Sequence, residues 1–222
     1  IILWRDTVPP HFNSRKKKII QVTYMNNKLV TKQHINYDYW CWDNYFTTSE
    51  IKKFNKLIKK NIIGIEDPSK VATVSTYKKI KKLKTEIVEI PSISKFVKPL
   101  MEAVHYCNDK NFQYELHTNS QLEDMGNYNT YSSKTKSEYK WHTDESQDMR
   151  FDLKFTVLIN LSEQKYTGGD FKLFRHEAYT VDRFKIPGSV LMFKSSINHC
   201  VTPVLSGERK TLTIFVFGPK WR

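Results

Sequence analysis

The half of the chain after residue 111 consists of short strand-like runs, and this pattern limits the fold more than any other feature. Turn pairs containing glycine separate several runs, at Gly168-Gly169, Pro187-Gly188 and Ser206-Gly207. Many short strands at this spacing are typical of a sandwich or jelly roll. No strand–helix alternation follows residue 111, so a parallel α/β fold is not expected. The runs, rich in β-branched and aromatic residues, are 112–117, 120–125, 154–161, 170–175, 189–194 and 211–218.

The first half of the chain has helical patterns instead. Thr47 and Glu50 have the spacing of a capping box and predict the start of one helix. A second helix is predicted after Pro91, with Pro99 as a kink or restart inside it. The polar segment 126–138 is predicted to be a mobile loop. The expected architecture is α+β, mainly β: a single domain over 1–222, in which 1–110 is mostly helical support and 111–222 is a jelly-roll core.

Composition argues against two classes of protein. With 39% apolar residues, 12 Tyr and 13 Phe, the chain is not expected to be wholly disordered. No run approaches the ~18 apolar residues of a membrane span, so no membrane partner is expected. Cys41, Cys107 and Cys200 are odd in number and lack CxxC spacing, which indicates reduced thiols. We therefore expect an intracellular, cytoplasmic protein, in the host cytoplasm if the chain is viral.

The net charge is +13, which can attract nucleic acid or acidic partners. Basic residues are concentrated in the segments 15–18, 52–60 and 78–84. Such runs usually lie on exposed faces. We interpret them as solvated surface, with nucleic acid as a second candidate partner.

The stretch YKWHTDES, 139–146, contains a candidate metal site. Residues i and i+2 of a strand point to the same side, so His142 and Asp144 can both face into a barrel. His199 is the third candidate, because it follows the run 189–194 and a neighbouring antiparallel strand would bring it close. Two histidines and a carboxylate leave about three open positions on an octahedral metal, as in non-haem Fe(II) oxygenases. The alternative for His199 is a buried histidine bonded to a backbone carbonyl.

Arg209 begins the next strand, and Arg209, Thr211 and Thr213 alternate onto one face of it. A guanidinium at the inner end of a barrel strand is costly to bury alone. Burial becomes favourable if a dicarboxylate supplies a bidentate partner, and the Thr213 hydroxyl could add one hydrogen bond. A chelating keto acid fits this arrangement. In 2-oxoglutarate the keto-acid end would take two metal positions and the distal carboxylate would meet Arg209.

Together these motifs resemble the Fe(II)/2-oxoglutarate-dependent dioxygenases, specifically the prolyl 4-hydroxylase-like branch with its PKHD-type and phage relatives. The matching segments are YKWHTDE (139–145), 154–174 with its Gly-Gly pair, 187–219 and, more loosely, WDNYFTTSEI (42–51). They follow one another in order over residues 40 to 222. The resemblance implies a double-stranded β-helix, which is a jelly-roll barrel, with supporting helices.

The resemblance also implies the ligands of the site. It assigns Fe(II) to His142, Asp144 and His199, and the 2-oxoglutarate clamp to Arg209. The second co-substrate it implies is O2, and it allows for ascorbate as an auxiliary reductant. Tyr139 and Trp141 have the other strand parity from His142, so we expect them to serve packing.

Further contacts to 2-oxoglutarate are less closely defined by the resemblance. Tyr131 is the nearest candidate for the tyrosine that often touches the co-substrate in this family, and Tyr128 is the alternative. Thr213 lies where relatives often have a hydroxyl residue. Asn160 stands where some relatives carry a tyrosine, which leaves the remaining contacts open. The glycine pair is expected to serve a turn and not a phosphate cradle.

The implied reaction is hydroxylation of an unactivated C–H bond, with release of succinate and CO2. A peptide or protein side chain, in particular proline, is the substrate that the resemblance favours. Three other functions are alternatives: a nucleic-acid base oxygenase or demethylase, a non-catalytic jelly-roll binding module, and a hydrolytic zinc site. The net charge favours the nucleic-acid alternative. However, the usual pattern of repair demethylases has a second arginine shortly after the clamp arginine on the same strand, and residues 210–215 contain none. The sequence does not indicate an oligomeric state.

Overall fold

The computed structural model describes residues 37–66, 80–117, 124–144 and 151–220, which all belong to one compact unit, Tyr37–Arg222. The main elements in chain order are β1 (Tyr39–Trp42), α1 (Thr48–Lys60), β2 (Ile62–Ile65), β3 (Lys81–Lys82), β4 (Lys84–Glu89), α2 (Ser94–Cys107), β5 (Met125–Ser132), β6 (Glu138–His142), β7 (Phe151–Asn160), β8 (Thr167–Gly168), β9 (Phe171–Phe174), β10 (Ala178–Thr180), β11 (Val190–Lys194), β12 (Asn198–Val201), β13 (Val204–Ser206) and β14 (Glu208–Pro219). None of the helices in these ranges is long and apolar enough to cross a membrane.

Within the described ranges, the strands form a seven-stranded major sheet and a five-stranded minor sheet. The major sheet has the order β1-β11-β7-β14-β5-β4-β2, and the minor sheet has the order β10-β9-β12-β6-β3. Neighbouring strands pair antiparallel in both sheets. β8 and β13 form a separate two-stranded pair. The predicted double-stranded β-helix with supporting helices is confirmed.

Apolar residues alternate along the central strands, so the major sheet has a core on each face. We call the two sides the helix face and the inner face. The helix face packs Val157, Ile159, Leu212 and Ile214 against Phe54 and Ile58 of α1 and Leu100 and Val104 of α2. The inner face packs Tyr131, Leu158, Leu191 and Phe193 against Phe171, Leu173 and Val201 of the minor sheet. Side chains of the candidate site lie on the inner face.

Both predicted helices are present. The hydroxyl of Thr47 accepts a hydrogen bond from the Glu50 backbone N–H, and the Glu50 carboxylate accepts one from the Thr47 backbone N–H. This is the reciprocal capping box that the sequence predicts. Pro99 lies inside α2, which nevertheless runs from Ser94 to Cys107. One hydrogen bond lost near the first turn is outweighed by burial of the apolar side of the helix.

The loop predicted over 126–138 is wrong for most of that segment. Residues Met125–Ser132 form β5, which lies inside the major sheet between β14 and β4. Asn127, Asn129 and Tyr131 are paired with residues of β14 that lie on the inner face. Polar side chains of β5 thus point toward the site, which removes the apolar alternation by which a buried strand is normally predicted.

Two other expectations need correction. Residues 113–117 form no strand, because the chain leaves α2 through a π-helical turn at Asn108–Phe112. The described part of 1–110 contributes four strands as well as two helices, since β1, β2 and β4 extend the major sheet and β3 extends the minor one. The runs 154–161, 170–175, 189–194 and 211–218 correspond to β7, β9, β11 and β14. The single domain over 1–222 stays a prediction, because residues 1–36 lie outside the described ranges, as does most of the run 120–125.

Candidate active site

Two neighbouring strands of the minor sheet bring the three predicted metal ligands together. β6 and β12 are antiparallel, and His142 lies directly opposite His199. Asp144 follows β6, and its backbone N–H donates to the Ser195 carbonyl at 3.0 Å. Nε2 of His142 is 3.5 Å from Oδ1 of Asp144, and Nε2 of His199 is 3.4 Å from Oδ2. One ligand atom of each residue lies within 4.8 Å of the others, a spacing that a single metal ion can bridge.

Backbone carbonyls fix which nitrogen each imidazole offers. Nδ1 of His142 is 2.7 Å from the Lys140 carbonyl oxygen, and Nδ1 of His199 is 2.9 Å from the Ile197 carbonyl oxygen. A carbonyl oxygen can only accept, so each neutral ring carries its hydrogen on Nδ1 and its lone pair on Nε2. His199 therefore makes the carbonyl bond expected of a buried structural histidine, yet its free nitrogen faces Asp144. Metal-binding histidines are commonly oriented in this way.

The charges at this cluster are suited to a cation. Burial lowers the pKa of His199 from its ordinary value to about 4, although the Asp144 charge opposes the shift. His199 is thus neutral at pH 7 and able to act as a ligand. Burial alone would raise the pKa of Asp144, but its interactions with His142, His199 and the Thr156 hydroxyl outweigh burial and hold the pKa below its usual value. The Thr156 hydroxyl donates to Oδ2 of Asp144 at 2.8 Å and stabilises the same ionised carboxylate.

Tyr139 contacts a predicted ligand directly. The pairing of β6 with β12 shifts register between His199 and Val201, so simple strand parity fails here. The Tyr139 ring stacks on the His142 ring, with centroids 3.5 Å apart and planes 16° apart. The Lys81 ammonium lies 5.5 Å from the Tyr139 ring centroid. Tyr139 therefore has the expected packing role, and the side chain on which it packs is the predicted ligand His142.

Trp141 has a different environment from Tyr139. Its side chain is 40% exposed and meets the exposed ring of Phe174 edge to face, at a centroid distance of 6.0 Å. It contacts none of the three predicted ligands among the ring contacts of the described residues.

Arg209 has the surroundings of an anion-binding side chain. Its side chain is buried at 1% relative exposure, and neither Nη1 nor Nη2 has a hydrogen-bond partner in the described part of the chain. The guanidinium carbon lies 4.8 Å from the Tyr131 ring centroid and 5.6 Å from that of Phe184. Aromatic faces stabilise a cation only in part. A buried guanidinium with two free terminal nitrogens matches the two oxygens of a carboxylate.

The two tyrosine candidates lie on opposite faces of the major sheet. Tyr131 pairs with Arg209 across β5 and β14 and belongs to the inner core. Burial raises the pKa of Tyr131, and the Arg209 charge opposes that shift. Tyr128 instead belongs to the helix face, where its hydroxyl donates to Oδ1 of Asn55 at 3.0 Å. Only Tyr131 of the pair is placed next to the predicted clamp.

Asn160 is buried but already fully hydrogen-bonded. Its Nδ2 donates to the Phe184 and Lys185 carbonyls at 2.9 and 3.2 Å, and its Oδ1 accepts from the Ser162 N–H at 3.1 Å. Asn160 therefore holds the adjoining turn and offers no group to a ligand.

Strand register gives the order of site residues along the major sheet. Thr211 pairs with Asn160, Thr213 with Leu158, and Phe215 with Thr156. Thr156 is the residue bonded to Asp144, so the metal end of the site lies near this pair and Arg209 marks the far end. Thr213 lies between them, on the same strand face as Arg209.

Thr156 and the stacking of Tyr139 were not found from the sequence. Thr156 lies in an apolar run that reads only as a buried strand, although alternation with Leu158 and Asn160 places it on the inner face. The register shift that brings Tyr139 onto His142 has no local signal in the sequence. Gly169 does have such a signal: its φ is +61°, and an added Cβ would lie 3.1 Å from Cδ of Arg209. The predicted turn at Gly168-Gly169 therefore also provides room for the clamp.

Comparison with known proteins agrees with this geometry. Residues 126–217 match the family model described as the 2OG-Fe(II) oxygenase superfamily. A PKHD-type hydroxylase from Synechococcus sp. (strain CC9605) is 41% identical over 73 residues, which is 32% of this chain. The match spans about a third of that relative, 32% of its length.

Solved structures share the fold at low sequence identity. A Pseudomonas putida prolyl-4-hydroxylase aligns with a TM-score of 0.60 and 13% identity, covering 82% of this chain and 94% of that one. A Trichoplax adhaerens prolyl hydroxylase, solved with a hypoxia inducible factor peptide fragment, gives 0.59 and 18%, with coverages of 81% and 83%. A viral collagen prolyl hydroxylase from Paramecium Bursaria Chlorella virus-1, solved as a 2OG complex, gives 0.57 and 14%, with coverages of 86% and 99%.

Fold and site together define a double-stranded β-helix with a two-histidine, one-carboxylate centre. Residues 126–217 match the 2OG-Fe(II) oxygenase superfamily, and the fold is of the prolyl 4-hydroxylase-like type. The residues present fit the groups that this family uses. Two Nε2 lone pairs and a carboxylate suit Fe(II), and the free terminal nitrogens of Arg209 suit a carboxylate of 2-oxoglutarate. O2 is the second co-substrate of the family.

Proposed function

We propose that this protein is an Fe(II)- and 2-oxoglutarate-dependent dioxygenase, an oxidoreductase that hydroxylates a prolyl or other side chain of a peptide or protein. One observation carries the proposal. A cluster of three metal-ligand atoms and a buried arginine that has no anionic partner among the described residues lie in the same β domain, in the order that a chelating dicarboxylate would span.

Each residue has a defined task in this proposal. His142, Asp144 and His199 would hold the metal, and Thr156 keeps the Asp144 carboxylate ionised and oriented. Arg209 and Tyr131 would hold the distal carboxylate of 2-oxoglutarate. Fe(II) with 2-oxoglutarate and O2 supplies the oxidation, in which one oxygen atom enters the substrate C–H bond and the other enters succinate as CO2 leaves. The protein then needs no general base; it must orient the reactants and exclude water.

The surroundings of the ligands fit that task. The His199 ring packs against Phe193 and Phe171, with centroid distances of 4.7 and 5.5 Å. The His199 side chain is only 5% exposed. An apolar shell of this kind limits water at the ligand and strengthens electrostatic interactions inside the site.

A peptide or protein substrate is supported by the similar solved structures. Three of them are prolyl hydroxylases, and one was solved with a peptide fragment. The proposal of an intracellular, cytoplasmic location is supported by the cysteines, since Cys41, Cys107 and Cys200 are all free thiols.

A nucleic-acid substrate is the second candidate, because α1 carries an exposed row of lysines. The lysines of this row, all exposed, are Lys52, Lys53, Lys56, Lys59 and Lys60. However, α1 packs on the helix face of the major sheet, while Arg209 and Thr213 point to the inner face. A nucleic acid held by α1 would therefore lie on the wrong side of the sheet for the site.

A substrate screen tests the proposed function. The protein with Fe(II), 2-oxoglutarate and O2 is incubated with proline-containing peptides and, separately, with single-stranded oligonucleotides. We expect succinate formation above background and a mass gain of one oxygen on a peptide, both absent in His199→Ala. Turnover coupled to oligonucleotides alone would favour the nucleic-acid candidate. Absence of 2-oxoglutarate binding in metal-loaded protein would favour a binding module, and hydrolysis supported by zinc would favour the zinc site.

A further inference from the structure

Three buried polar side chains lie on adjacent strands of the major sheet, on its inner face. Thr85 of β4 pairs with Asn129 of β5, and Thr213 of β14 pairs with the neighbouring Asn127. The relative exposures of Thr85, Asn129 and Thr213 are 3%, 8% and 7%. Their polar atoms are connected in series, since Thr85 Oγ1 lies 2.7 Å from Asn129 Oδ1 and Asn129 Nδ2 lies 3.0 Å from Thr213 Oγ1.

A backbone carbonyl fixes the direction of this series. Nδ2 of Asn129 also lies 3.3 Å from the Asn127 carbonyl oxygen. That oxygen can only accept, so the NH2 group and not the amide oxygen must face it. The amide oxygen then faces Thr85, whose hydroxyl must donate. The second N–H of Asn129 donates to Thr213 Oγ1.

The hydroxyl hydrogen of Thr213 is consequently left for another acceptor. Its oxygen receives the bond from Asn129, and a hydroxyl that accepts one hydrogen bond can still donate its own hydrogen. The bond from Asn129 is the one hydrogen bond that the Thr213 hydroxyl makes within the described ranges. The hydrogen bond from Asn129 to Thr213 Oγ1 also polarises the hydroxyl and makes it a better donor.

Register places that free donor in the proposed co-substrate site. Along β14, Thr213 lies between Arg209 and Phe215, and Phe215 pairs with Thr156, the partner of Asp144. A dicarboxylate stretched from Arg209 to the metal ligands would pass Thr213, and every polar atom of 2-oxoglutarate is an acceptor. Nothing in the sequence pattern singles out Asn129 or Thr85 for this purpose.

We propose that Asn129 is a positioning residue that holds the Thr213 hydroxyl as a hydrogen-bond donor to 2-oxoglutarate. The inference rests on the proposed function, because it needs 2-oxoglutarate at this site. The inference specifies the direction of the hydrogen bonds: Thr85 donates to Asn129, Asn129 donates to Thr213, and Thr213 donates to the ligand. Replacing the donor group of Asn129 by an acceptor should therefore turn the Thr213 hydroxyl away from the ligand and weaken ligand binding.

The test measures 2-oxoglutarate affinity by calorimetry on protein loaded with Mn(II), which does not turn over. Thr213→Val removes the donor with little change in shape and is expected to weaken binding about 10-fold to 100-fold, the value of one hydrogen bond to a charged group. Thr213→Ser should stay close to the parent. Asn129→Asp offers only acceptors when ionised, so the Thr213 hydroxyl would turn toward the new carboxylate and affinity should fall by at least as much as in Thr213→Val.

The double variant separates positioning from a direct charge effect. If Asn129 acts through Thr213, adding Asn129→Asp to Thr213→Val should weaken binding little further. An equal loss in both backgrounds would mean that the added charge repels the ligand directly, and would overturn the proposal. Parent-like affinity in Thr213→Val would also overturn it. Mn(II) affinity is the control and should be unchanged in the single variants. Thermal unfolding shows that each variant is folded at the assay temperature, and Thr213→Val is expected to unfold somewhat lower because a buried N–H of Asn129 loses its acceptor.

The proposed function can fail separately from this inference. A parent protein that binds Mn(II) but no 2-oxoglutarate would refute the proposed function. A parent that binds both, with all Asn129 and Thr213 variants unchanged, would refute the positioning role alone.

Discussion

Replacing Arg209 by methionine should stabilise the fold and at the same time weaken the binding of 2-oxoglutarate. The guanidinium is buried, and its terminal nitrogens have no hydrogen-bond partner among the described residues. Burial of a charge without a partner opposes folding, because the lost hydration is not replaced. Methionine has similar length and no charge. The variant should therefore be at least as stable as the parent when no anion is present.

The two effects can be put into numbers. Replacement of buried charged groups by apolar residues is often neutral or stabilising by ~1–4 kcal/mol. For a protein of this length, each kcal/mol shifts Tm by about 2–4 °C. The same change removes two charge-assisted hydrogen bonds to the ligand carboxylate, each worth ~1.5–3 kcal/mol. The dissociation constant of 2-oxoglutarate should thus rise by about 100-fold to 10,000-fold.

Thermal unfolding with and without 2-oxoglutarate measures both effects in one experiment. The buffer must be low in phosphate and other anions, since these could occupy the clamp. The parent should gain Tm on addition of 2-oxoglutarate, and Arg209→Met should start at an equal or higher Tm and gain almost nothing. Arg183→Met is the matched control, because Arg183 is exposed and paired with Asp43 at 2.7 Å. A lower Tm without ligand, together with unchanged 2-oxoglutarate affinity, would refute the reasoning.

Three further predictions concern the ligands and the sheet. His142→Ala or Asp144→Ala should abolish metal binding and turnover but leave the metal-free fold intact by circular dichroism; global unfolding of both would indicate a purely structural cluster. Burial lowers the pKa of His199 from 6.5 to about 4, so the unfolded chain gains a proton in this range that the folded chain does not, and stability of the metal-free protein should fall by ~3 kcal/mol as pH drops from 6.5 to 4. Urea unfolding at several pH values should show a flatter dependence in His199→Gln, and an identical dependence would contradict that origin. Gly126→Ala should cost ~1–3 kcal/mol by overpacking, because the new Cβ would lie 3.2 Å from the Thr213 carbonyl oxygen, which the sheet holds in place, as well as 2.9 Å from Cδ1 of Ile90; an unchanged urea midpoint would show that β5 has room there.

Much of the fold was accessible from the sequence because the relevant signals are local. The capping box at Thr47 and the strands β7, β9, β11 and β14 follow from patterns within a few residues. The candidate ligands were likewise accessible, since His142 and Asp144 form a short motif. The prediction of His199 and Arg209 needed only the further assumption that antiparallel neighbouring strands bring distant segments together.

Features that depend on several strands at once were not accessible. β5 resembles a loop because two of its inner side chains are asparagines, and Asn129 is buried with Thr85 and Thr213 as its hydrogen-bond partners. The contact of Tyr139 with His142 depends on a register shift between β6 and β12. The choice between Tyr131 and Tyr128 depends on which face of β5 each occupies, and no sequence spacing determines that while β5 itself is unrecognised.

The central claim is that Fe(II) and 2-oxoglutarate share one site, with Arg209 as the clamp. Anaerobic absorption spectroscopy tests it most directly: Fe(II) is added to the metal-free protein, then 2-oxoglutarate, and the weak visible charge-transfer band of a keto acid chelated to iron is followed. The parent should show the band, and Arg209→Ala should need at least about 100 times more 2-oxoglutarate to reach it while keeping its iron affinity. Absence of the band in folded, iron-loaded parent protein, or equal 2-oxoglutarate requirements in parent and variant, would contradict the claim.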